Sequence, residues 1–174
     1  MKKHRAMTLI AGIVIASVSI AMALSFGSAA KGKGGLVASA ADEVTWAGDV
    51  SHRAQVMEVL NKQVEAWNRR DLEGFMRGYW RSPDLTFYSG GTPLSGWQST
   101  LDRYRQRYQS EGREMGHLDF SDLQIEGLGS DAAFVRGKWH LKMTASEAGG
   151  LFTLIFRRFS DGWKIVHDHT SSSS

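Results

Sequence analysis

The stretch Gly150–Ser171, GLFTLIFRRFSDGWKIVHDHTS, decides the architecture. From Leu151 to Phe156 only Thr153 interrupts an apolar run, the pattern of a central strand covered on both faces. Ser160-Asp161-Gly162 then reads as a turn. Beyond it Trp163, Ile165, His167 and His169 fall on one face at a two-residue period, with Lys164, Val166 and Asp168 on the other. Two long strands joined this tightly predict an antiparallel sheet.

Working backwards, the same period recurs. AAFVRGKWHLKM (132–143) alternates Ala133, Val135, Gly137, Trp139 and Leu141 against Phe134, Arg136, Lys138, His140 and Lys142, a half-buried strand. HLDFSDLQIEGL (117–128) ends in the turn Gly129-Ser130-Asp131. Upstream the period changes. Met57, Leu60, Val64 and Trp67 recur at helical spacing between Ser51 and Arg70. A second helix restarts at Asp71 as N-cap, carries Leu72, Phe75, Met76 and Tyr79 on its apolar side, and stops by Pro83. Two short strands flank Ser89-Gly90-Gly91. Ser95 then caps a third helix that aligns Trp97, Leu101, Tyr104 and Tyr108. Helix, helix, short hairpin, helix and a long antiparallel meander make an α+β domain with its helices on one face of a bent sheet and a cavity between the layers.

Three segments, QVEAWNRRDLEGFM, LTFYSGG and GLFTLIFRRFSDGWKIVHDHTS, resemble the SnoaL-like and nuclear transport factor 2-like superfamily. They are most similar to bacterial proteins related to the association domain of calcium/calmodulin-dependent kinase II. The likeness spans about residues 50–171. It implies a cone-shaped fold of about three helices on a strongly curved, mostly antiparallel sheet, dimeric or larger, with a pocket between the layers. It does not imply one function, because this fold hosts enzymes and non-catalytic modules alike. Aligned with ketosteroid isomerase, the best-understood enzyme of the superfamily, Gln63 stands where that enzyme has a tyrosine and Ser89 near its carboxylate base. Neither can take a carbon-bound proton near neutral pH.

The amino terminus reads separately. A basic MKKHR precedes an uncharged run from Met7 to Phe26 and an Ala- and Gly-rich stretch, the order of a secretory leader. The run is long enough to span a bilayer, so a cleaved signal and a retained anchor both remain open. The boundaries expected are 1–40 for signal peptide or anchor with its flexible spacer, 41–49 for a linker, 50–171 for the domain and 172–174 for a tail. The domain would lie in the periplasm or be secreted, or be tethered outside the cytoplasm at the inner membrane. A pI of 9.3 suggests a polyanionic partner, but the charge sits in the leader. Residues 1–40 hold five of the 21 Lys and Arg and none of the 18 Asp and Glu, so the remainder carries 16 basic against 18 acidic residues. A near-neutral domain is not a nucleic-acid binder. With no cysteine, disulfides, thiolate chemistry and Cys-ligated metals are excluded.

Chemistry rests on few residues. His167 and His169 are the tentative acid–base pair, since imidazole carries protons near neutrality. The plainer reading is a rim pair, and a further one is two ligands of a metal completed by His117 or Asp119. No HExxH helix or acidic cluster is present, and neither a metal nor a cofactor is expected. Trp67, Tyr79, Phe87, Trp97, Tyr104, Trp139 and Phe156 are the expected pocket wall, doubling as core. Arg103, Arg105 and Arg107 read as a solvated helix face, although one turned inward would select a carboxylate. Asp168 reads as a surface or interface residue. The function expected is binding of a small, partly apolar molecule by a non-catalytic binding or assembly module, a homodimer or larger. The alternative is a cofactor-independent isomerase, dehydratase or hydrolase using His167 and His169.

Overall fold

The structure, a computed structural model, describes residues 50–173. The leader, its spacer and the linker, residues 1–49, lie outside the described residues. Three helices, α1 (Val50–Asn68), α2 (Leu72–Met76) and α3 (Trp97–Arg105), pack on six strands: β1 (Thr86–Ser89), β2 (Thr92–Ser95), β3 (His117–Gly127), β4 (Ala132–Lys142), β5 (Glu147–Phe159) and β6 (Gly162–Thr170). The sheet runs β2-β1-β6-β5-β4-β3 and is antiparallel except where β1 lies parallel to β6. This is the expected α+β architecture. The parallel pair is an addition to it, and it seats the small hairpin beside the last strand.

In α1 the stripe against the sheet is Val56, Leu60, Gln63 and Trp67, with Met57 and Val64 only partly buried. The expected stripe is thus rotated by one residue, and a polar side chain, Gln63, lies at its centre. Gln63 is accommodated because its amide donates to the Phe75 carbonyl at 3.2 Å. At the end of α1, Asn68 clamps the first turn of β3, donating to the Leu118 carbonyl at 3.1 Å and accepting from its amide at 2.8 Å. Asp71 caps α2 as expected, accepting from the Gly74 amide at 2.7 Å.

Two local expectations change. The second helix stops at Met76, and the chain straightens so that Ile165 donates to the Gly78 carbonyl and accepts from the Trp80 amide, both at 2.9 Å. Tyr79 therefore leaves the helix and bridges to β6. Ser95 belongs to β2, while Gly96, at φ 95°, is the N-cap of α3 without any side-chain bond. That positive φ suits glycine and strains a serine. After Arg105 the helix widens into a π-turn, Gln106–Ser110, closed by the Glu111 amide on the Gln106 carbonyl at 2.8 Å.

The core is the layer between helices and sheet, centred on the fully buried Leu60, Met76, Leu85, Leu101, Phe156 and Ile165. No part of the described chain covers the opposite face of the sheet, where Leu151 is 58% exposed and Tyr88 40%.

Candidate functional site

The site begins with a β-bulge in β6. Phe156 pairs with Ile165, yet the preceding residue Ile155 pairs with His167, so Val166 is the extra residue. One inserted residue reverses the side-chain faces beyond it. Trp163 and Ile165 point to the core, and past the bulge Asp168 and Thr170 take over that side. His167 and His169 turn to the uncovered face. There His167 Nδ1 lies 2.6 Å from the Thr86 hydroxyl, and Tyr88 meets both imidazoles edge-on, with ring centres 5.1 and 6.2 Å away. The expectation that the two histidines share a face with Trp163 is therefore overturned, and with it any role for them inside the cavity. No group of three or more metal-ligating side chains occurs among the described residues.

Asp168 takes the place expected for the histidines. It is 4% exposed, accepts from the Tyr79 hydroxyl at 2.7 Å on one oxygen and from the Thr170 hydroxyl at 2.7 Å on the other. The bridge that pulls Tyr79 off its helix is what brings its hydroxyl to this carboxyl group. Tyr104, from α3, lies close enough to Tyr79 for the two phenols to bear on each other's ionisation. Burial pushes Asp168 up to about 6, partly opposed by the two hydroxyl donors and by His169. Burial likewise holds Tyr79 and Tyr104 well above the usual phenol range, so both stay protonated donors. His167 is lowered by partial burial and by His169, which favours the neutral ring.

Around this cluster lies a cavity of about 490 Å³ between the helix layer and the inner face of the sheet. Trp67, Tyr79, Phe87, Tyr104 and Trp139 all line it. Two other residues expected there do not. Trp97 packs beside it, donating to the Met76 carbonyl at 2.8 Å under the Arg81 guanidinium, and Phe156 is sealed in the core with no exposure. Each sits at a strand or helix position one layer away from the opening, where core filling wins. Trp67 is the hub of the wall, edge-on to Phe75, Tyr104 and Tyr108 at 5.1 to 5.9 Å. Its indole donates to the Met115 carbonyl at 3.1 Å, so the ring is fixed. Toward the π-turn the lining becomes charged, with Arg103, Arg107, Arg113 and Glu114. Of the arginine set, Arg103 and Arg107 both line the cavity, Arg103 half-buried and Arg107 exposed.

A family model for a SnoaL-like domain matches residues 56–173. The chain belongs to the SnoaL-like family. A nuclear transport factor 2-like protein of unknown function from Shewanella oneidensis is similar, with 37% identity, a TM-score of 0.65, and coverage of 68% of this chain and 98% of that one. A nuclear transport factor 2-like superfamily protein from Salmonella enterica shares 17% identity at a TM-score of 0.61, covering 71% and 92% of the two chains. A putative calcium/calmodulin-dependent protein kinase type II association domain from Thiobacillus denitrificans shares 20% identity at 0.58, covering 68% and 94%. The last two likenesses are of fold alone. No curated protein matches the chain.

In this SnoaL-like domain sequence reasoning put Asp168 on the surface, gave Gln63 no part in the cavity wall and left open which arginine turns inward. The adjacent Ile165-Val166 pair is the one mark of the bulge in the sequence. Read alone, it looks like ordinary alternation with one apolar residue facing outward.

Proposed function

We propose that this domain binds a small, partly apolar molecule between its helices and sheet as a non-catalytic module. One observation carries the reading: an aromatic-walled cavity of about 490 Å³ holds a buried carboxyl group with two hydroxyl donors. Binding sites are typically concave, largely apolar and furnished with few convergent polar groups. Non-denaturing mass spectrometry of protein purified from its own source tests it. A constant added mass that leaves on denaturation is the expected result; a bare folded chain counts against it.

The leader supports export. Intact-mass measurement on cell fractions should find a chain shortened within its Ala- and Gly-rich stretch, or a full-length one in the membrane fraction. The uncovered sheet face supports pairing with a second copy, and the Thiobacillus relative is itself named an association domain.

A second reading, an enzyme that moves protons, draws on Asp168, whose near-neutral pKa beside Tyr79 suits a general acid or base. Asp168 succeeds the histidine pair as its proton carrier. Turnover of the retained molecule that follows one ionisation near pH 6 and is abolished in Asp168→Asn, with binding intact, would select this reading over simple binding.

A further inference from the structure

Side chains of opposite charge line the cavity. Asp168 is buried, and among the described residues it takes part in no ion pair. Its neighbours Tyr79, Thr170 and Tyr104 are neutral, and His169 stands behind it on the other face. A carboxylate has about four acceptor positions, and the two hydroxyls occupy two of them. What is left can accept further N–H donors from the cavity side. A buried carboxylate without a counter-charge is costly, and a ligand cation relieves that cost in a medium where charges attract strongly. The adjoining aromatic faces of Trp67, Phe75 and Tyr104 suit a cation as well as an apolar body.

Basic side chains line the same cavity. Arg113 is paired with Glu111 at 3.1 Å, Arg107 lies over the Tyr108 ring at 5.7 Å, and Glu114 is engaged by Thr144. Arg103 is half-buried, lines the cavity and forms no ion pair among the described residues. A guanidinium in that position fits a carboxylate.

Resting on the binding reading, we propose that the ligand is amphoteric: an ammonium group donates to Asp168, an apolar body lies against Trp67, Phe75 and Tyr104, and a carboxylate meets Arg103. This is the chemistry of an amino acid with an aromatic or other bulky apolar side chain, or of a longer amino acid. No bond is made or broken.

Four probes that share one ring separate the ends: L-tryptophan, tryptamine, indole-3-propionate and indole. Calorimetric titration of the full chain at pH 7.5 should rank tryptophan above tryptamine and indole-3-propionate by about tenfold or more, with indole weakest. Asp168→Asn should weaken tryptophan and tryptamine by about thirtyfold or more and leave indole-3-propionate unchanged; Arg103→Gln should do the reverse. Lowering the pH to 5 needs no substitution. It neutralises Asp168, while Tyr79 and Tyr104 stay protonated, and should cost tryptamine far more affinity than indole-3-propionate, whose own carboxyl group is only partly protonated there. Equal binding of tryptophan and either single-ended probe, or binding indifferent to both substitutions, overturns the proposal. Binding of indole with no gain from either end overturns it and leaves the pocket reading standing. Failure of all four probes removes the amphoteric ligand, and failure of indole in particular also counts against the pocket.

Discussion

Asp168 concentrates most of what is unusual in this domain into one side chain. In an unfolded chain an aspartate gives up its proton near 3.8, whereas here burial holds it to about 6. Between those values the folded protein keeps a proton that the unfolded chain has lost. Stability therefore falls as the pH rises through that window and stays reduced above it. The gap corresponds to about 3 kcal/mol as an order of magnitude. His167 acts in the opposite sense, because its folded-state pKa lies below the unfolded one and its contribution grows as pH rises toward 6.5. Comparing wild type with Asp168→Asn isolates the carboxyl term. The expected outcome in denaturant unfolding is that the variant gains on wild type between pH 4 and pH 8 and equals or exceeds it at pH 8. A constant difference across that range would show that Asp168 titrates normally. Tyr79→Phe tests the partner. It removes one donor from an ionised, buried acceptor, so it should cost about 1.5–3 kcal/mol at pH 8 and less at pH 4, where the acid is neutral.

At the scale of the element, the bulge at Val166 decides which chemistry faces inward. Strand identity was legible from alternation, and Ala133, Val135 and Leu141 are buried on the inner face of β4 as their spacing requires. The helices were legible too, with errors of one residue in the stripe of α1 and in the cap of α3, and with α2 ending at Met76, short of the expected Tyr79. The bulge was not legible, because it is a matter of pairing between Ile155 and His167 rather than of any residue's own preference. A two-residue period carries face assignments forward indefinitely, and one unpaired residue inverts every assignment after it. Asp168 was misplaced for that reason and no other. Strand β4, beyond β5, offers a test of how closely the cavity wall is packed. A Cβ on Gly137 would stand 2.7 Å from Phe152 Cζ and 2.8 Å from Leu123 Cδ2, so Gly137→Ala must push Phe152 toward the cavity. We expect a loss of about 1–3 kcal/mol and weaker binding of bulky ligands. Unchanged stability together with unchanged ligand affinity would mean that the wall yields freely.

For the whole molecule, the open question is what covers the outer face of the sheet. Across it run Thr86, His167, Ile155 and Phe134 in one paired row and Tyr88, His169, Thr153 and Arg136 in the next, with Leu151 nearby. Such a face mixes apolar side chains with imidazoles and a guanidinium paired to Glu126, and we propose that a second copy covers it. It is a single patch, so a second copy can meet it about a two-fold axis, each Ile155 row facing its mate. The face is separate from the Asp168 cavity, which opens on the other side of the sheet, and assembly and binding should therefore be separable by mutation. Ile155→Glu places a charge at the centre of the patch without touching the core layer. Light scattering during gel filtration at micromolar concentration should give twice the chain mass for wild type and the single-chain mass for Ile155→Glu. Circular dichroism of the variant should be unchanged, and ligand affinity should stay within about threefold, since sites this far apart without shared partners behave nearly independently. A wild-type protein that is already monomeric at those concentrations, or a variant that remains paired, would assign the face to something other than a second copy.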